Sequence, residues 1–194
     1  VAKSLLSGYK RQFGNMSFLG LVRFAAERAA TAVAELNPVT TRLTDEAHLR
    51  DREFHLGAFS WREQHLLSTV ARRLKKRLDG DMERSRALVE CQDHLVATAL
   101  AHVERVILES FAGNLERSDG GERRMLELVA ELFALSRIER DRGWFLEQGV
   151  LEPPKAKAIR GLVSRLCGEV RQQAVPLVDA FGIPQELLGA PIAR

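Results

Sequence analysis

The chain is poor in the residues that mark extracellular, metal-dependent and membrane proteins. It has two cysteines in 194 residues, Cys91 and Cys167. Both sit inside helical patterns without zinc-type spacing, so they are expected as small buried thiols in a reducing compartment. No uncharged apolar run approaches the ~20 residues of a membrane span. The first residues lack the charged-then-apolar order of a secretory signal. These absences point to a cytoplasmic chain with no membrane span. Charge of one sign is also scarce: Lys+Arg 29 against Asp+Glu 26 leaves a net +3, too little for the clustered footprint of a nucleic-acid binder. No segment alternates apolar and polar residues with a period of two, so no sheet is predicted.

What remains is helix nearly everywhere, in a chain long enough for one sizeable core. Ala2, Leu5, Leu6, Tyr9 and Phe13 keep helical spacing, and Gly14-Asn15 can end that helix. No Ser, Thr, Asp or Asn precedes it to cap the first free amides. A second helix, residues 18–36, carries the stripe Val22, Ala26, Ala29, Val33 and Leu36, and Asn37-Pro38 ends it. Thr44 is expected to cap a third helix running to Leu78, roughly 50 Å long. Its apolar face holds Leu49, Leu56, Phe59, Leu66, Leu67, Val70, Leu74 and Leu78. Asp79-Gly80-Asp81 is the next turn.

A fourth helix follows through Leu88, Cys91, Leu95, Ala99, Val103, Val106 and Phe111. The stretch AGNLERSDGGE, residues 112–122, is predicted as a loop from its glycines and polar residues. A fifth helix carries Met125, Leu128, Val129, Leu132 and Leu135. Gly143 interrupts it, and WFLEQG makes a short extra turn ending near Gly149. Pro153-Pro154 open a sixth helix, where the missing amides cost nothing; Ile159, Leu162, Val163, Leu166, Cys167 and Val170 follow in helical step. Pro176 should kink or break it, and Phe181-Gly182-Ile183-Pro184 reads as a stop. The expected fold is an all-α antiparallel bundle of about six helices.

Chemistry is hard to find in this pattern. His48, His55, His65, His94 and His102 could serve metal or acid–base work. Yet no Glu-x-x-His pair, His-Glu-x-x-His, Cys-x-x-Cys or phosphate-loop motif is present. Glu90 and His94, or Asp51 and His55, could share a helix face, and such pairs are usually surface contacts. RRLKKR, residues 72–77, could meet an acidic partner; cations near a helix C-terminus also simply offset its dipole. Trp61 and Trp144 are expected as core or interface aromatics. No catalytic, cofactor-binding or metal-binding residue is assigned.

Residues 131–166, ELFALSRIERDRGWFLEQGVLEPPKAKAIRGLVSRL, resemble the C-terminal region of acyl-CoA oxidases. So do residues 170–194, with the LVDAF stretch at 177–181 and Leu188-Gly189. Leu135, Ile138, Gly143, Phe145, Leu146 and Gly149 carry the match. Residues 59–74 and 91–111 look like an actinobacterial-type branch of that family, which is related to acyl-CoA dehydrogenases. The resemblance implies a helical domain of a larger flavoenzyme, homodimeric, that converts acyl-CoA to trans-2-enoyl-CoA with FAD. It further implies a catalytic glutamate in a Glu-Gly-Asp-Asn motif just upstream of Val1, which would explain the capless first helix. Residues 1–14 would then trail from an upstream domain and 15–194 form the bundle, with a structural and subunit-packing role. FAD is not expected to be held by this chain alone. The family's common Tyr-Asp-Gly continuation after Leu-Gly is replaced here by Ala190-Pro191-Ile192, and no Ser-Lys-Leu peroxisomal address is seen. The alternative is a free-standing helical interaction or regulatory protein whose basic face at residues 72–77 binds an acidic partner.

Overall fold

A computed structural model describes residues 41–184 and residue 187. The helices expected over 2–13 and 18–36, their stops, and Leu188-Gly189 lie outside those residues. The described part contains eight helices and no strand: α1 (Glu46–Arg50), α2 (Arg52–Asp79), α3 (Arg84–Glu90), α4 (Gln92–Leu115), α5 (Gly120–Arg140), α6 (Arg142–Glu147), α7 (Pro153–Gln172) and α8 (Ala174–Asp179). The all-α expectation holds, but the number of helices does not. Four expected helices fall in this region, and each is divided once.

The divisions have local causes. Asp45, not Thr44, caps the third expected helix, accepting from the His48 amide at 2.9 Å. That helix stops after five residues because Asp51 is extended (φ −67°, ψ 125°). Its carboxylate caps α2 through the Glu53 amide at 3.0 Å. Cys91 (φ −106°, ψ 6°) separates α3 from α4, and Asp141 separates α5 from α6. The break expected at Pro176 falls earlier, at Gln173. Pro176 thereby occupies the first turn of α8, where its absent N–H would have no partner anyway.

The predicted 112–122 loop is mostly helix. α4 continues to Leu115, which is buried, and only residues 116–119 connect it to α5. Burying a leucine is worth ~1.5–3 kcal/mol, against ~1 kcal/mol for carrying Gly113 in a helix. The leucine wins. The expected turn at Gly149 is present: its φ is +69°. The Val150 amide donates to the Phe145 carbonyl at 3.0 Å and the Gly149 amide to the Leu146 carbonyl at 3.1 Å, the paired bonds of a glycine C-cap.

α2 and α4 form an antiparallel hairpin through Gly80-Asp81, and α5 joins this hairpin to α7. The main core joins Phe59 and Trp61 of α2, Leu108 of α4, Leu135 and Ile138 of α5, Phe145 of α6, and Ile159, Leu162 and Leu166 of α7. A second, small cluster of Val70, Leu74, Ala87 and Cys91 holds the far end of the hairpin. The stripe expected to be buried on the fourth helix is corrected here. Cys91 and Ala99 are buried, but Leu88, Val103 and Val106 are exposed, and Thr98, Ala101, Glu104 and Leu108 point inward instead. Apolar residues stand on both the buried and the exposed side of α4, so periodicity alone does not select the inward face.

Candidate functional site

Among the described residues, the buried Glu63 and Glu104 mark one polar cluster, and the buried His55 and Lys155 another. The first lies where α2, α4 and the α5–α6 junction meet. Arg62 donates to Glu104 at 2.7 Å, and its other terminal nitrogen lies 2.8 Å from an Asp141 oxygen. Arg140 donates to both Glu104 (2.9 Å) and Asp141 (2.7 Å). One helical turn away, the buried Glu63 meets His102 Nδ1 at 2.8 Å and also pairs with Arg105, which in turn pairs with Glu109. Both buried carboxylates are therefore held by cations from neighbouring helices. Each already accepts charge-assisted bonds, which leaves neither open as a general base.

Beside this network Trp61 stacks on His65, with ring centroids 4.9 Å apart, and Trp144 closes on both rings at 5.4 Å. Trp61 Nε1 and His65 Nδ1 are buried without a hydrogen-bond partner. Burial, then the nearby Arg72, hold the His65 imidazole below its ordinary value. The two tryptophans thus serve the packing, as the sequence implies.

The second cluster surrounds Lys155, which is 1% exposed in the first turn of α7. Its ammonium lies 2.9 Å from His48 Nε2 and 3.9 Å over the Phe54 ring. Burial pushes it down to about 8, with Asp45 opposing. His55 is buried alongside, Nε2 2.7 Å from the Leu49 carbonyl. Burial lowers its pKa to about 4, against raising contributions from Leu49 and Asp51.

This histidine makes a testable contribution to stability. Its folded pKa, about 4, lies below the unfolded 6.5. Between those values the unfolded chain binds the proton more readily, so stability rises with pH and is lost on acidification. Unfolding free energy should fall by roughly 3 kcal/mol as pH drops from about 6.5 to about 4. Denaturant titrations across that range check this; a profile unchanged by His55→Phe removes His55 as the cause.

The remaining sequence candidates are dispersed. Glu90 pairs with Arg77 at 3.0 Å and Arg86 at 3.3 Å rather than with His94. Asp51 serves as a cap. Cys91 is buried, whereas Cys167 is exposed, contrary to expectation. In the basic run Lys75 pairs with Asp79 at 2.9 Å. A shallow recess of about 450 Å³ is lined there by Arg72, Lys75, Lys76, Asp79 and Gly80. Among the described residues no three His, Cys, Asp or Glu side chains gather as a metal site. No described helix is long and apolar enough to cross a membrane. Sequence reasoning missed Glu63, Glu104 and Lys155. A usable signal was their position: Glu63 falls four residues after Phe59, and Lys155 four before Ile159, each in step with an apolar stripe.

A family model described as acyl-CoA oxidase matches residues 51–194. Acyl-coenzyme A oxidase 2, peroxisomal, of Arabidopsis thaliana is 38% identical over 194 residues, which is all of this chain and 28% of that protein. The crystal structure of acyl-CoA oxidase1 from Yarrowia lipolytica has the same fold (TM-score 0.72, 24% identity), covering 91% of this chain and 28% of that one. So does acyl-CoA oxidase-1 of Caenorhabditis elegans, solved with FAD and ATP (TM-score 0.69, 18% identity; 91% and 28% covered). The chain spans a little over a quarter of the length of these relatives.

Proposed function

We propose that this chain, which belongs to the acyl-CoA oxidase family, is the C-terminal helical bundle of a larger flavoenzyme and serves it as scaffold and packing surface. The observation that carries this reading is coverage. The 38% identity extends over all 194 residues but only 28% of the Arabidopsis relative. The polar clusters agree with it, because their charges are spent on holding helices together. Residues 1–14 would close a helix begun upstream and 15–194 form the bundle. Residues 59–74 and 91–111 support the actinobacterial-type branch.

The activity proposed for the larger enzyme is oxidation of an acyl-CoA to its trans-2-enoyl-CoA in fatty-acid β-oxidation, as a homodimer. FAD would supply the redox chemistry there. The recess at the end of α2 does not fit that group. The recess at Arg72, Lys75 and Lys76 is open and shallow, Asp79 offsets one of its three cations, and it sits at a helix C-terminus whose dipole disfavours a pyrophosphate. No step is therefore assigned to any residue of this chain. The proposed location is cytoplasmic, on the buried free Cys91 thiol; the Arabidopsis relative is peroxisomal by name. The test is to read the coding frame upstream of Val1. A Glu-Gly-Asp-Asn motif in frame is expected, and a long upstream frame without one overturns the reading.

A further inference from the structure

The chain has two tryptophans, and both pack on one histidine. His65 stacks on Trp61, one turn earlier on α2, with ring centroids 4.9 Å apart and planes inclined by 30°. Trp144 of α6 meets the imidazole edge-on at 5.4 Å and the Trp61 ring at the same separation. The next residue, Phe145, is 1% exposed and fixes α6 in the main core. Trp144 is only partly buried, and its seat on α2 is made by Trp61 and His65.

Two buried nitrogens in this stack, Trp61 Nε1 and His65 Nδ1, have no hydrogen-bond partner. A neutral imidazole can leave Nδ1 as a bare lone pair by carrying its proton on Nε2; an imidazolium cannot, because both nitrogens then donate. A charged donor buried without an acceptor costs more than a bare lone pair. The carboxylates on the elements packed here are already engaged. Glu63 on α2 is held by His102 and Arg105 of α4, while Glu104 on α4 and Asp141 before α6 are held by Arg62 and Arg140. Arg72, two turns along α2, brings like charge to the ring, and Arg137 and Arg142 of α5 and α6 are cationic as well. Cation–π attraction to the indoles favours the imidazolium. Burial and Arg72 nevertheless hold the ring below its ordinary pKa, so the net effect opposes the charge.

We propose that His65 is an acid-sensitive latch: the neutral imidazole seats Trp144 on α2, and the imidazolium releases the Trp144 ring to water while Phe145 keeps α6 anchored. Release hydrates the two nitrogens that the closed stack keeps bare. His65 is itself only partly buried, which gives the proton access. The sign follows from linkage. A depressed folded pKa means that the closed stack is complete above 6.5 and is lost as pH falls.

The test is tryptophan emission of the 194-residue chain during an acid titration, with acrylamide quenching and far-UV circular dichroism on the same samples. Both indoles report on this one site. As pH falls below 6.5, the emission maximum should move to the red at constant helicity. The acrylamide quenching constant should rise roughly twofold as one indole leaves the stack. His65→Phe keeps an aromatic ring in the stack and should abolish the shift; His65→Asn, equally unable to titrate, gives the same reading if the phenylalanine variant folds poorly. His55→Phe should leave the shift in place, because His55 lies in the other polar cluster. A fall in intensity without a red shift means that the imidazolium quenches the indoles in place, and overturns the latch. So does an emission spectrum that acid leaves unchanged, a red shift that coincides with loss of helicity, or one that survives the His65 substitutions.

Discussion

Glu104→Ala is expected to lower the unfolding free energy by about 3–5 kcal/mol, the usual cost of removing one partner from a buried ion pair. Glu104 is 7% exposed and accepts from Arg62 and Arg140, on two other helices. Its loss leaves the Arg62 guanidinium, whose side chain is 12% exposed, facing Asp141 alone. For a chain of this size the change corresponds to a fall in Tm on the order of 10 °C. Glu104→Gln retains size and one acceptor, so it should cost less, about 1–3 kcal/mol. Replacing Arg62 and Glu104 together by Met and Leu should recover most of the loss, because no unpaired charge remains. Urea melts of the four proteins measure these differences. A cost below 1 kcal/mol for Glu104→Ala would mean that water already screens the network and that it does not clamp the helices.

Phe145→Ala should be comparably damaging, about 3–5 kcal/mol. Phe145 is 1% exposed in the main core, and its carbonyl receives the Val150 amide that closes the turn at Gly149. The cavity would open in the main core, to which α2, α4, α5 and α7 all contribute. Phe181 provides the contrast. It lies in the LVDAF stretch that resembles the family, yet it is 76% exposed. Phe181→Ala should therefore change stability by no more than about 0.5 kcal/mol. Thermal melts of the two variants side by side decide the matter. A large loss at Phe181 would place the C-terminal stretch against the bundle, contrary to its exposure.

The all-α class and the principal helices were legible because apolar spacing near 3.6 is the strongest local signal available. Pro153-Pro154 and Gly149 marked their boundaries for stereochemical reasons that need no tertiary context. Asp51 and Cys91 were not legible as breaks, since the apolar period continues in phase across them, and the break at Asp141 was read two residues late, at Gly143. Their non-helical backbones depend on capping and on packing between elements distant in the chain. Leu115 shows the converse, with burial carrying α4 past a glycine that local propensity marks as loop. The inward face of α4 was misread because Val103 and Val106 are as apolar as the residues that are buried. Choosing between the faces required Arg62 and Arg140 to claim Glu104. The polar clusters stayed hidden for a related reason. Glu63, Glu104 and Lys155 gain meaning from partners more than 30 residues away, as in the 39-residue separation of Glu63 and His102.

In the role proposed, this chain is scaffold to a larger acyl-CoA oxidase and holds no part of the flavin site by itself. The most direct measurement is the visible absorption spectrum of the purified 194-residue chain after mixing with excess FAD and desalting. A colourless protein, still helical by circular dichroism, is expected. A flavin band retained through desalting, near stoichiometric with protein, would contradict it and require cofactor contacts within this bundle.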